Sequence, residues 1–233
     1  ADQALPGKAR VLADPPPDDN LVEGSYVATR TADEIRELLD QAEQEITILS
    51  AYLIPTPALE ETLARAVERG VRVRLLTNSI RSNNHLIAHS AYRNHISNLL
   101  SSGVELHEVR IDAEGRHVYM RSPVTDKSLA LHAKTLVVDN DAVFVGSLNL
   151  DPRSMRINTE MGLLVDSEPL NRALREKLDI DFILDNAWQL RLDENNRVTW
   201  VSNSGVLTSQ PSTGFMQSLS DWFFAHLPVE AEL

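Results

Sequence analysis

Leu131-His132-Ala133-Lys134-Thr135-Leu136-Val137-Val138-Asp139-Asn140-Asp141-Ala142-Val143-Phe144-Val145-Gly146-Ser147-Leu148-Asn149 decides the architecture of this chain. Two apolar, β-branched runs, residues 134–139 and 142–147, are separated only by Asn140-Asp141, which is the chemistry of a two-residue hairpin turn. Both faces of the runs are Val, Leu, Phe and Ala, so the hairpin is expected at the centre of a sheet covered on two sides. With a two-residue turn, Lys134 lies opposite Ser147 and His132 opposite Asn149. Side chains alternate along a strand and cross-strand neighbours sit about 5 Å apart, so these four polar groups converge on one face. Asp139 falls on the opposite face with Thr135, Val137 and Phe144, in a structural position. A buried His and Lys are costly without partners, so something anionic is expected against them. A Lys ammonium, a Ser hydroxyl and an Asn amide can hold phosphate oxygens while an imidazole attacks phosphorus or moves a proton.

Outward from the hairpin, the first half alternates helix and strand. Thr31-Ala32-Asp33-Glu34 has the form of a capping box opening an amphipathic helix to about residue 44. A strand over 46–52, a helix ended by Gly70, a strand over 71–77, a third helix over about 85–101 and a strand over 104–109 follow. Residues 112–130 form a long loop, of a length more often functional than idle. Further strands are expected over 160–166, 189–193 and 197–202, with a helix over about 168–186. The fold class is α/β, a mixed sheet sandwiched between helices. Residues 1–28, polar and carrying Pro15-Pro16-Pro17, read as a leader or linker, and residues 29–233 as the folded unit.

The chain has 22 Lys+Arg against 34 Asp+Glu, a net charge of −12, with seven His and no Cys. The missing Cys excludes a disulfide scaffold, a Cys-ligated metal site and a cysteine nucleophile. The acidic balance argues against a general nucleic-acid surface. No apolar run approaches the roughly 20 residues that cross a bilayer.

His132-x-Lys134, Asp139, then Gly146-Ser147-x-Asn149 at these spacings resembles the HKD signature of the phospholipase D superfamily. Six fixed residue types, each at about 5% usage, would arise by chance in a chain of this length on the order of a few times in a million. Tyr52-Leu53-Ile54-Pro55, Leu76-Thr77-Asn78-Ser79, Ala88-His89-Ser90-Ala91-Tyr92, Asn149-Leu150-Asp151-Pro152-Arg153-Ser154 and the closing Leu227-Pro228-Val229-Glu230 are similar to the C-terminal half of bacterial cardiolipin synthases of the C type. The resemblance implies a phosphatidyltransferase acting on phospholipid phosphodiesters through a phosphohistidine, with no metal and no cofactor. It implies catalytic roles for His132, Lys134, Asn149 and Glu160, with Glu160 holding the His132 imidazole by one nitrogen, Ser147 in the phosphate cradle and Asp139 as anchor. It also implies peripheral attachment to a bacterial inner membrane.

The resemblance departs in one respect. Such synthases carry two HKD motifs, and this chain has a single His-x-Lys. The missing half is expected to be an N-terminal HKD unit of a longer protein, for which Val11 to Pro16 resembles the joining stretch, or else a second copy of the chain. A homodimeric phosphodiesterase or nuclease and a catalytically silent scaffold half are the competing readings. His89 and Tyr92 lie one turn apart near the strand ends where open sheets bind ligands, so both are candidates to line the substrate pocket, with plain packing equally open for Tyr92. His85 and His89 have metal-binding spacing but lack a third ligand. Arg153 can contact phosphate or pair with an acid. The apolar face from Gly214 to Leu227 lacks Lys and Arg, which favours packing on the domain over a membrane surface.

Overall fold

The computed structural model describes residues 4–15, 30–83, 85–113, 115–119, 129–212, 214, 220–221 and 223–224. In chain order the elements begin with β1 (Lys8–Ala13), α1 (Arg30–Gln41), β2 (Glu45–Ser50), α2 (Pro57–Glu68), β3 (Arg72–Asn78), α3 (Leu86–Arg93), α4 (Ile96–Ser101), β4 (Glu105–Val109) and α5 (Arg116–Tyr119). They continue with β5 (Lys134–Val138), β6 (Ala142–Gly146), α6 (Pro152–Arg156), β7 (Met161–Asp166), α7 (Glu168–Leu178), a 3₁₀ turn (Asp179–Phe182), β8 (Ala187–Leu192), β9 (Val198–Ser202) and β10 (Gly205–Leu207). The strands form one sheet of order β1-β7-β6-β5-β2-β3-β4-β8-β9-β10. β2, β3 and β4 run parallel, and every other pairing is antiparallel.

Helices flank this sheet on both faces, as the alternation requires. On one side Ile35 and Leu39 of α1, Leu59 and Leu63 of α2 and Ile96 and Leu99 of α4 pack with Leu136, Val138 and Phe144. On the other, Leu170, Leu174 and Leu178 of α7 pack with Leu49, Leu76, Val137 and Val143. Local chemistry sets the helix ends. Thr56 caps α2 by accepting the Leu59 N–H, with Pro57 at its first position, and Gly70 follows its last turn at φ +89°, where a Cβ would be strained.

The hairpin turn is one residue longer than its sequence suggests. Val138 pairs with Ala142 and Leu136 with Phe144, so Asp139, Asn140 and Asp141 form a three-residue connection. Asp139 takes φ +48°, a conformation that Asp tolerates better than most residues. Its own N–H continues the ladder toward β2 by donating to Glu45 O at 2.8 Å, and its carboxylate accepts the N–H groups of Glu43, Gln44 and Glu45. Asp139 is thus committed to the α1–β2 junction and cannot pair with Ala142. A one-residue slip moves a strand's side chains to the other face, so Phe144 packs with Leu136 rather than Val137, and Ser147 is not opposite Lys134. Asp139→Ala is expected to lower stability by about 1–2 kcal/mol through loss of these charge-assisted bonds, read as a lower urea midpoint at unchanged slope.

Three other boundaries differ. Within residues 1–28, read as leader, Lys8–Ala13 forms edge strand β1, antiparallel to β7, with Leu12 buried. Asp14, just past it, accepts the Thr31 N–H at 2.8 Å, so α1 is capped from a distant residue and Thr31 sits inside its first turn. The expected third helix is two, broken at Asn94-His95, where His95 Nδ1 meets Glu60 at 2.8 Å. The helix over 168–186 stops at Leu178 and tightens into the 3₁₀ turn.

Candidate active site

Parallel strands β2, β3 and β4 end at Ser50, Asn78 and Val109, and β5 begins beside them because Lys134 pairs with Ser50. Open α/β sheets bind ligands at such carboxyl ends. Asn78 braces the entry to β5: its amide donates to Ala51 O and Leu131 O and accepts the Leu131 N–H, all between 2.8 and 2.9 Å. Ala133 O accepts the Ala51 N–H. The backbone on either side of His132 is therefore fixed, while the His132 side chain is exposed at the open end.

Lys134, half-buried, donates to His132 O at 3.3 Å. Burial pulls its ammonium below the usual lysine value, and the carboxylates of Glu160 and Asp151 push it back up. Ser147 donates to the Glu160 carboxylate, and its Oγ accepts the Met161 N–H at 3.0 Å. The other Glu160 oxygen accepts from Asn158 Nδ2 at 3.2 Å, and Arg153 Nε donates to Asn158 Oδ1. The Glu160 backbone is pinned by Asp14 through paired bonds of 2.8 and 2.9 Å. Glu160 thus holds Ser147 and Asn158, whereas the family resemblance implies that it holds the His132 ring. Gly146 leaves space that nothing larger could use, because a Cβ there would lie 2.5 Å from Met161 O and 2.7 Å from the Phe144 ring.

Asn149 follows in a segment clamped against residues 50–54, since Leu150 N donates to Ser50 Oγ and Ile54 N to Leu150 O. It lines a cavity of about 420 Å³ together with Tyr52, His85, Asp151, Arg153, Ser154 and Asn158. Its Oδ1 is buried and has no hydrogen-bond partner among the described residues. Asp151 caps α6 by accepting the Ser154 N–H at 2.7 Å, and burial raises its carboxyl to about 6. The His85 ring packs edge-on against Tyr52.

Two expected pocket residues lie elsewhere. His89 is fully buried, its Nε2 3.4 Å from Gln210 Oε1, and Tyr92 is buried with its hydroxyl donating to Glu108 at 3.1 Å. Neither lines the cavity, because the face of α3 bearing them turns into the core. Its first turn, with His85 before it, forms the wall instead. His85 and His89 consequently face different partners. The sequence reading assigned no role to Asp14, Asn78, Asp151 or Asn158. Asp151-Pro152 carried a helix-start signal, but nothing local to Asp14 predicted a contact 146 residues away. Most of the tail over 213–233 lies outside the described residues, but Asp221 is buried and accepts from Ser90 and Arg93.

Residues 35–182 match the family model described as cardiolipin synthase, PLD-like domain. The chain belongs to this phospholipase D-like family. It is 36% identical over 231 residues to cardiolipin synthase C of Escherichia coli, covering 96% of this chain and 48% of that protein. It is 29% identical to cardiolipin synthase B of Salmonella typhi, covering 84% of this chain and 43% of the relative. The chain thus spans about half, or less, of these curated relatives. Among solved structures, the phospholipase D family member Nuc from Salmonella typhimurium superposes with TM-score 0.55 at 20% identity, covering 80% of this chain and 99% of that one. Phosphatidylserine synthase from Haemophilus influenzae gives TM-score 0.55 at 17% identity over 79% of this chain and 40% of its own. These likenesses establish the phospholipase D-like α/β fold.

Proposed function

We propose that this chain supplies one of two HKD motifs of a phosphatidyltransferase that moves a phosphatidyl group from one phospholipid to an alcohol of another, with phosphatidylglycerol as donor or acceptor. The observation that supports it most is the exposure of His132 and the pairing of Lys134 with Ser50 at the open end of the sheet, where the Lys134 ammonium feels the carboxylates of Glu160, which holds Ser147, and of Asp151, which lines the cavity with Asn149. Either His132 or the histidine of the other motif attacks phosphorus. A P–N bond forms, the P–O bond to the donor's alcohol breaks, and the second histidine protonates the departing alkoxide. That same histidine then takes the proton of the incoming alcohol, whose oxygen attacks phosphorus while the P–N bond breaks. Lys134, Ser147 and Asn149 hold the non-bridging oxygens, and Arg153 reaches the cavity rim. Glu160 orients the cradle through Ser147 and Asn158, and Asp139 keeps the hairpin in place.

The partners of the reaction are phospholipids at the face of a bacterial inner membrane, reached peripherally. Among the described residues no helix is long and apolar enough to cross a membrane. The net charge of −12 speaks against nucleic acid as substrate. The two-motif enzyme is expected to form cardiolipin in vesicles of mixed bacterial inner-membrane phospholipids that include phosphatidylglycerol, at a rate that excess EDTA leaves unchanged, followed by thin-layer chromatography of the lipids. No lipid product, or activity abolished by the chelator and restored by a metal, would sink this reading.

A further inference from the structure

The two ends of the sheet differ in charge. At the end where β2 begins and the β5–β6 hairpin turns, Glu43, Asp139, Asp141, Glu168, Glu176 and Asp179 line one open hollow. Its two cations, Arg172 and Arg175, pair with Glu168 and Glu45. At the opposite end, Arg153 lines the cavity beside Asn149 and is exposed. Its Nε donates to Asn158 Oδ1 at 3.2 Å, and among the described residues its guanidinium meets no carboxylate. Ile157 follows one turn on, donating its N–H to Arg153 O at 2.9 Å, and is 49% exposed. Ile87, 39% exposed, lines the same cavity from the first turn of α3. Ser90, one turn farther along α3, donates to Asp221, and Phe223, two residues beyond, is 55% exposed. Apolar side chains around an unpaired guanidinium fit the headgroup boundary of an anionic bilayer, where Ile and Phe enter the acyl region and Arg stays at the phosphates.

We infer that the rim formed by Ile87, Arg153, Ile157 and Phe223 is the surface that sits on an anionic phospholipid bilayer, with the mouth of the Asn149 cavity against the headgroups. The inference rests on reading this chain as part of a phospholipid-transferring enzyme, and adds the face that meets the lipid. Three observations select a bilayer. The rim is the mouth of the cavity that Asn149 and Asp151 line, so a phosphodiester still anchored in the membrane enters it without its acyl chains being drawn into water. Arg153 has no carboxylate of its own to satisfy, so its charge is available to lipid phosphates. The acidic hollow lies at the far end of the sheet, so an anionic surface repels that end and turns the cavity toward itself.

Co-sedimentation of the two-motif polypeptide with vesicles tests the surface, using phosphatidylcholine alone or with about 30% phosphatidylglycerol to supply the anionic charge. Partition to the anionic vesicles is expected to be at least about fivefold stronger and to weaken with salt. Ile157→Glu sets a carboxylate where an apolar side chain enters, and is expected to weaken that partition at least about tenfold. Ile157 does not line the cavity, so the same variant is expected to keep transfer between short-chain phospholipids, dispersed below their micellar concentration, within about twofold of wild type. Val206→Glu, on exposed β10, is the control that changes neither. A second readout is insertion itself: Ile157→Cys carrying the fluorophore NBD is expected to shift its emission to the blue on anionic vesicles, and Val206→Cys with the same label is not. Equal partition of wild type and Ile157→Glu would overturn the inference, as would equal partition to the two kinds of vesicle. Loss of short-chain transfer with partition intact would set Ile157 against another part of the enzyme and overturn it as well. Should Ile157→Glu lose both, the label decides, and bound protein with unshifted emission at Ile157→Cys overturns the surface. Anionic partition that Ile157→Glu weakens, in a polypeptide that transfers no phosphatidyl group, would uphold the surface and sink the enzymatic reading. Transfer with a partition indifferent to Ile157→Glu would do the reverse.

Discussion

His132→Ala in the two-motif enzyme is expected to lower phosphatidyl transfer by about 10⁴-fold or more while leaving thermal unfolding and vesicle binding unchanged. Loss of a covalent nucleophile or of the sole proton carrier on one side of the reaction is of this size, whichever role His132 takes. The structural side effects are small because the side chain is exposed and its neighbours are held by other groups: Leu131 by Asn78, and Ala133 by Ala51. Lys134 takes its contact from the His132 carbonyl, which alanine retains. Lys134→Met gives a useful contrast, expected to cost about 10²–10³-fold, because it removes charge stabilisation and leaves the bond-making group in place. Retention of more than about a tenth of wild-type turnover by His132→Ala would be incompatible with either histidine role.

The alternation of helix and strand from α1 to β4 was legible because each step is local: an apolar period, a Pro or Gly at its end, and the next period. The hairpin was legible as a hairpin but not in its register. What shifts the register is the Asp139 carboxylate folding back onto the N–H groups of residues 43–45, a long-range demand that turn chemistry alone does not encode. β1 was missed for a similar reason. An edge strand with one buried residue, Leu12, among exposed neighbours carries little periodicity, and the proline run after it suggests a linker. The motif residues could be found by spacing because spacing is what a strand and its return fix. Their hydrogen-bond partners could not, since Asp14, Asn78 and Asn158 reach the site from separate parts of the chain. His89 and Tyr92 show the converse error: proximity to the strand ends was right for α3, but which face of the helix meets the cavity was set by the buried partner Glu108.

Stability is expected to fall by about 2 kcal/mol between pH 6.5 and 8, lowering the melting temperature by about 4–8 °C, and Glu108→Gln is expected to flatten that decline. Glu108 is fully buried on β4, where burial pushes its carboxyl up to about 8, with Asp221 adding to the rise. The Trp200 indole N–H and the Tyr92 hydroxyl donate to its two oxygens at 3.0 and 3.1 Å and only partly oppose the shift. Folded Glu108 therefore holds its proton more tightly than the unfolded chain does, so the stability it contributes is complete below about 4.5 and is lost as pH rises through 8. His89 and His107 act in the opposite sense: burial lowers both from 6.5 to about 4, so their contribution is present above 6.5 and is lost as pH falls. Below 6.5 the histidines are offset by Glu108 and, up to about 6, by Asp151, which leaves that limb shallow. Above 6.5 Glu108 alone of these four titrates, with a slope of about 1.4 kcal/mol per pH unit. Glu108→Ala removes both acceptors, strands the Tyr92 and Trp200 donors and opens a cavity, at a cost of about 3 kcal/mol or more. Because Tyr92 belongs to α3, whose first turn walls the cavity beside Asn149, this loss is also expected to raise KM for the lipid more than it lowers kcat. A melting temperature that still declined from pH 6.5 to 8 in Glu108→Gln would remove this carboxyl as the cause.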